Sequence, residues 1–184
     1  MASPVPSLVV GSTAVPPRAA AAGGRIVVGI GEFAVSSSPD DVIVTHALGS
    51  CIAVCIWDPV VRVGGLLHFL LPESKINPER ARKQPATFAD TGIPLLFQTA
   101  YASGIEKKRC HVRLVGGAEV AGMQGVAALN VGKRNLLVAR QILWQNGVLV
   151  NGEATGGTIP RSVALRASDG VVEVTSARDV VASL

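Results

Sequence analysis

Aromatic residues make up only 4% of this 184-residue chain: two Trp, one Tyr and four Phe. A core assembled around large rings is excluded. With a hydrophobic fraction of 48%, Val, Leu, Ile and Ala must fill the interior. Cysteine is also scarce. Three residues, an odd number, exclude a fully paired disulfide framework. There is no CxxC pair, and Cys51 and Cys55 alternate with apolar residues as a strand does, which argues against a structural zinc site. Charged residues reach only 16%, with a net charge of +4. The basic ones fall in short clusters, "RARK" (80–83) and "KKR" (107–109), without interleaved aromatics. That is the pattern of solvated helix ends and loops, and it lacks the dense stripe of a nucleic-acid surface.

No apolar run approaches the roughly 20 residues of a membrane-crossing helix, so no membrane insertion is expected. The opening segment carries its first positive charge at Arg18 and is interrupted by four prolines, whereas a secretory signal needs charge first and an unbroken apolar core after it. Residues 1–24 are read as a disordered tail, residues 25–184 as one domain, and the cytoplasm as the compartment.

What is present is a series of short Val-rich runs bounded by turn residues, the mark of strands. Strands are expected at 24–35, 41–45, 51–57, 61–71, 110–118, 148–155, 161–167 and 171–177. Asp58-Pro59 and Pro72 stop the third and fourth. In the turn "ALGS" (47–50), Gly49 is the residue expected to take a backbone shape that others resist. The three prolines and many charges of 72–86 predict an exposed, mobile loop. Ile93, Leu96, Phe97, Ala100 and Tyr101 lie on one face of a helix over 90–103, with Asp90 or Thr91 as cap, Pro94 in the first turn and Gly104 beyond the end. A second helix covers 132–147. The expected fold is a compact α/β sandwich, mixed sheets covered by two main helices.

Cys51 and His68 are the chemical candidates. A thiol is a weak nucleophile until a base takes its proton, and an imidazole can accept that proton or hold the thiolate as an ion pair. The same ring can then protonate a leaving amine and activate water. Thr45, at the end of the preceding strand, would supply a hydroxyl or carbonyl to orient the ring, and backbone N–H groups around Gly49, Ser50 and Cys51 would face a developing oxyanion. On that reading the Cys51 thiol should titrate below a free thiol. The competing reading is plain packing: Cys51, Ala53 and Cys55 share one strand face, and His68 lies between Leu67 and Phe69. "GIGEFA" (29–34) matches G-x-G-x-x-A, but no amphipathic helix follows, so it fails as a dinucleotide site. The pairs in "GGA" (116–118) and "TGG" (155–157) are turns that could line a cleft.

Together, "GIGEFAV", "VIVTHALGSCIAVCIWDPVVRVGGLLHFLLPES", "FADTGIPLL", "VGGAEV", "NVGKRN", "TGGTIPRSV" and "DGVVEV" resemble, in order, the CheD family of bacterial chemotaxis, the chemoreceptor glutamine deamidases. The T-x5-C-x16-H spacing of that family is met by Thr45, Cys51 and His68. The resemblance implies Cys51 as nucleophile, His68 as base and Thr45 as orienting residue. It implies no cofactor and no metal. The implied substrate is a glutamine side chain on the cytoplasmic helical region of a methyl-accepting chemotaxis receptor, converted to glutamate. Hydrolysis of a glutamyl methyl ester would use the same steps. CheD relatives often also bind CheC, a phosphatase of phosphorylated CheY. Two departures, Ala154 where the family commonly has an acidic residue and "AEVAGMQG" without the usual Met-Phe type pair, motivate a second reading: a non-catalytic binding module for CheC or receptors, with Cys51 retained for packing.

Overall fold

The computed structural model describes residues 24–119, 131–177 and 179–184. Ten strands and three α-helices follow one another among these residues: β1 (Arg25–Val27), β2 (Glu32–Ser36), β3 (Val42–Leu48), β4 (Ile52–Asp58), β5 (Val63–Phe69), α1 (Pro78–Lys83), α2 (Ala89–Ala102), β6 (His111–Gly116), α3 (Val131–Gln145), β7 (Val150–Thr155), β8 (Arg161–Arg166), β9 (Val172–Ser176) and β10 (Asp179–Ser183). They form two five-stranded mixed sheets, ordered β1-β3-β8-β9-β10 and β2-β5-β4-β6-β7. The fold is the α/β sandwich expected.

Strand alternation sorts the second sheet into two faces. Ile52, Val54, Ile56, Leu67 and Phe69 point to one side, where they pack with Ile93, Leu96, Ala100, Ala139 and Leu143 of α2 and α3. Cys51, Ala53, Cys55 and Leu66 point to the other, against Ile43, Leu48, Val163, Leu165 and Val174 of the first sheet. β4 is central and buried along its whole length, which is why "CIAVCIW" has no polar alternation. Each fully buried Leu, Ile or Val side chain stabilises the fold by about 1.5–3 kcal/mol.

Several expectations are corrected. The run 24–35 is two strands in different sheets: β1 pairs in parallel with β3, and β2 antiparallel with β5. The crossing lies at 28–31, where Gly31 has φ +76°. The segment 72–86 is not a bare loop. It carries single 3-10 turns at Ser74–Ile76 and Pro85–Thr87 and the helix α1, capped by the Asn77 side chain with Pro78 at its first position. Its end is buried at Ala86 and Thr87.

Helix α2 begins at Ala89 after Phe88, so Pro94 falls inside it and removes one intrahelical bond. Neither expected cap acts as one. Asp90 accepts from the Ser74 N–H and hydroxyl, and the Thr91 hydroxyl donates to the Pro85 carbonyl. Tyr101, placed on the buried stripe, is 44% exposed. In the 47–50 turn the left-handed residue is Ala47, φ 59°, not Gly49. A bulge between Thr45 and Leu48 returns Leu48 to the inter-sheet face. β10 is a strand the sequence reading lacked. The tail expected over 1–24 lies outside the described residues apart from Gly24, whose N–H donates to Asp41, and so does most of "AEVAGMQG".

Candidate active site

Thr45 and His68 are hydrogen-bonded to each other between the sheets, and Cys51 lies on the same inter-sheet side. Thr45 comes from β3 of the first sheet, and His68 from β5 of the second. The Thr45 Oγ1 lies 2.7 Å from the His68 Nδ1 and 2.7 Å from the Val28 carbonyl oxygen. A hydroxyl carries one proton, and a carbonyl can only accept. The Thr45 proton therefore goes to Val28, and toward His68 the threonine oxygen accepts. Nδ1 then carries the ring hydrogen, and Nε2 presents a bare lone pair. Nε2 is buried and has no hydrogen-bond partner among the described residues.

Cys51 completes the group by register. Ala53 pairs directly with His68 across β4 and β5. Cys51, two residues before Ala53 and on the same face, is thus the diagonal neighbour of His68, a spacing across which a ring and a side chain can reach each other. The segment 28–31 holds Thr45 and His68 in place. As the chain crosses from β1 to β2, the Val28 carbonyl takes the Thr45 proton and the Gly31 N–H donates to the His68 carbonyl at 2.7 Å. A Cβ on Gly31 would stand 2.7 Å from Thr87 Oγ1, at a positive φ.

Behind Cys51 the packing is backbone on backbone. The Gly117 N–H donates to the Cys51 carbonyl and the Ala118 N–H to the Gly49 carbonyl, both at 2.8 Å. Gly116, at φ +112°, has no room for a side chain because a Cβ there would overlap the Cys51 carbonyl oxygen. The second glycine pair joins the first: the Gly156 N–H donates to the Gly116 carbonyl, and the Glu119 N–H to the Gly157 carbonyl. The first pair thus lies against the Cys51 backbone, and the second lies against the first.

One residue at the site was not singled out in the sequence. Asn135 of α3 is fully buried, and its Nδ2 donates to the carbonyls of Ser50 and Leu70, each at 2.9 Å. The signal was present: Gly132, Asn135, Ala139 and Leu143 form the buried stripe of α3, and an amide on such a stripe must find partners.

The electrostatics correct one expectation. Burial pushes the Cys51 thiol up to about 11, against a smaller opposite effect of its own backbone N–H. Burial also pulls His68 down to about 4. Moving the proton across that gap costs on the order of 10 kcal/mol. Even at direct contact the attraction of the two resulting charges would return only about 4 kcal/mol at an effective dielectric constant near 20. Both shifts favour a neutral thiol and a neutral imidazole at rest. Burial runs against the low-titrating thiolate expected from the sequence, and no cationic side chain among the described residues offsets it. Cys51 is 6% exposed, too little to solvate a charge.

The fold and this grouping define a class: a two-sheet sandwich with one helical layer, holding a thiol, an imidazole and a threonine hydroxyl in the layer between its sheets. The particular family follows from comparison with known proteins. Residues 70–176 match the family model CheD, chemotactic sensory transduction. A probable chemoreceptor glutamine deamidase CheD of Syntrophus aciditrophicus is 46% identical over 153 residues, covering 83% of this chain and 94% of its own length. Another, from Anaeromyxobacter dehalogenans, is 48% identical over 155 residues, covering 84% and 96%. A third, from Solibacter usitatus, is 44% identical over 146 residues, covering 79% and 85%. The chain belongs to the CheD family.

Proposed function

We propose that this protein is a cysteine-dependent chemoreceptor glutamine deamidase in which Cys51 is the nucleophile, His68 the general base and acid, and Thr45 the residue that orients the ring. The observation that carries the reading is the Thr45–His68 hydrogen bond with its onward bond to Val28, because together they leave Nε2 as the free base on the face that Cys51 shares. The names of the relatives supply the substrate, a chemoreceptor glutamine.

The chemistry follows from the neutral resting pair. As the sulfur attacks the carboxamide carbon, Nε2 takes the thiol proton, so the thiolate never has to exist alone in the buried site. The resulting imidazolium gives that proton to the amide nitrogen, the C–N bond breaks, and ammonia leaves. Nε2 next takes a proton from a water that attacks the thioester. Collapse expels the sulfur, which recovers a proton from the ring. Carboxamide and water are consumed, and carboxylic acid and ammonia are formed. Partners are the cytoplasmic helical region of methyl-accepting chemotaxis receptors and, on the family resemblance, CheC.

The test is to incubate the protein with a cognate receptor fragment and follow peptide mass. Each converted glutamine gains about 1 Da, an NH2 exchanged for an OH, and the gain disappears in Cys51→Ala. A gain that survives Cys51→Ala, or none in the wild type with the receptors of its own organism, overturns the reading. Unchanged receptor or CheC binding by Cys51→Ala, with no mass change in either protein, would establish the binding-module alternative in its place.

A further inference from the structure

Around Cys51 the backbone carbonyls and N–H groups are divided unevenly. Three successive carbonyls are held: Gly49 by the Ala118 N–H, Ser50 by the Asn135 side chain, and Cys51 by the Gly117 N–H. The Gly49 N–H donates to the Ala47 carbonyl. The N–H groups of Ser50 and Cys51 have no hydrogen-bond acceptor on any other described residue. In a trans peptide the C=O of one residue and the N–H of the next lie in one plane and point opposite ways. Holding the Ser50 carbonyl therefore aims the Cys51 N–H, and holding the Gly49 carbonyl aims the Ser50 N–H.

Asn135 is also placed where the β4–β5 ladder opens. The last paired residues are Ile52 and Phe69. Beyond them the Leu70 N–H turns away to the Thr87 carbonyl, so the carbonyls of Ser50 and Leu70 no longer find partners across the strands. The two hydrogens of one amide group serve both carbonyls at 2.9 Å. No hydroxyl or apolar side chain of similar size could do so, since only a primary amide offers two donors on one nitrogen without a charge.

We propose that Asn135 is a positioning residue: by bridging the Ser50 and Leu70 carbonyls it locks the Ser50–Cys51 peptide plane with the Cys51 N–H turned toward the oxyanion that forms on the attacked carbonyl. The inference rests on the proposed acyl-transfer reading of the same site and names a residue outside its thiol, imidazole and hydroxyl. A misdirected oxyanion donor costs on the order of 10²-fold in rate. It does not slow a displacement at an sp3 carbon, which develops no oxyanion.

The experiment compares the full-length wild type with Asn135→Ala, Asn135→Asp and Leu143→Ala. Asn135→Ala removes both donors, and Asn135→Asp keeps the shape but leaves at most the single O–H of a neutral carboxyl, which cannot bridge two carbonyls. Leu143→Ala creates a cavity on the same buried stripe of α3, away from the Cys51 loop, and reports what loss of stability alone does. Three rates are measured below the melting transition of the weakest variant: receptor-fragment deamidation, Cys51 acylation by p-nitrophenyl acetate, and Cys51 alkylation by iodoacetamide.

The expected result is a fall on the order of 10²-fold in kcat for deamidation, and in the acylation rate, for both Asn135 variants. KM should stay within about threefold, and alkylation should be nearly unchanged, because these steps do not use the oxyanion donor. Leu143→Ala should keep all three rates near wild type. Acylation in either Asn135 variant within about threefold of wild type, or acylation and alkylation falling together, overturns the proposal. A wild type acylated at Cys51 but inert toward every cognate receptor removes the deamidase reading and leaves the proposal to be judged by the acylation rates. A wild type that neither deamidates nor acylates removes both.

Discussion

Replacing Thr45 by Val keeps the shape of a residue with no exposed surface and removes one oxygen. That oxygen makes two contacts of 2.7 Å, giving its proton to Val28 and accepting from His68 Nδ1. In the variant the Val28 carbonyl and the Nδ1 hydrogen are both left buried without a partner. Each unsatisfied buried group costs about 1–3 kcal/mol, so the melting temperature should fall. The catalytic effect is separable from that loss. Without the threonine acceptor, the ring loses about 1–3 kcal/mol of preference for carrying its hydrogen on Nδ1. The ratio of the Nδ1–H to the Nε2–H tautomer then drops by about 5- to 150-fold, and kcat for deamidation falls with the share of rings whose Nε2 stays bare. KM should hold, since Thr45 is too deep to meet a substrate. Thr45→Ser, which keeps the hydroxyl, should stay within about fivefold of wild type, although it also forfeits a buried methyl. The assay is the rate of mass gain in a receptor peptide, measured well below the melting transition of each variant. Should Thr45→Val turn over within about twofold of the wild type while folded, the hydroxyl does not select the tautomer and the account of the triad is wrong.

Three further outcomes follow from the same site. Because the Cys51 thiol is pushed up to about 11 and His68 pulled down to about 4, the pair should be neutral between those values. The rate of Cys51 alkylation should climb about tenfold per pH unit well past pH 9; a plateau below pH 8.5 would show a preformed ion pair instead. On the acid side, deamidation should persist until the ring protonates near pH 4, where the base is lost. Gly116→Ala should destabilise the fold by about 2–4 kcal/mol in a denaturant titration, because a Cβ at φ +112° meets the Cys51 carbonyl oxygen. A stability loss under about 0.5 kcal/mol would mean the two segments are not in backbone contact.

How much of this was legible beforehand depended on whether the deciding force was local. β4 and β5 could be read because an apolar run closed by Asp58-Pro59 or Pro72 admits few conformations. Helices α2 and α3 could be read from a 3.6-residue stripe that needs no knowledge of its partner. The run 24–35 could not be divided, since its two halves are equally strand-like and differ only in which sheet they join, a matter settled by distant β3 and β5. Helix α1 buries no residue, so it had no periodic signal to offer, only Asn77-Pro78 as a start mark. Strand β10 is an edge with Val180 and Val181 exposed, where pairing with β9 outweighs a weak pattern. The site shows the same division. Thr45, Cys51 and His68 are of residue types whose chemistry announces them, and their spacing matched a known family. In the proposed mechanism they depend on groups that carry no chemical label: the Val28 carbonyl that claims the threonine proton, the glycines whose missing side chains admit the Cys51 loop, and an asparagine that only the opened ends of β4 and β5 make necessary. A sequence names the reacting atoms more readily than the acceptors and empty spaces that aim them, because aiming is a property of backbone groups that every residue has.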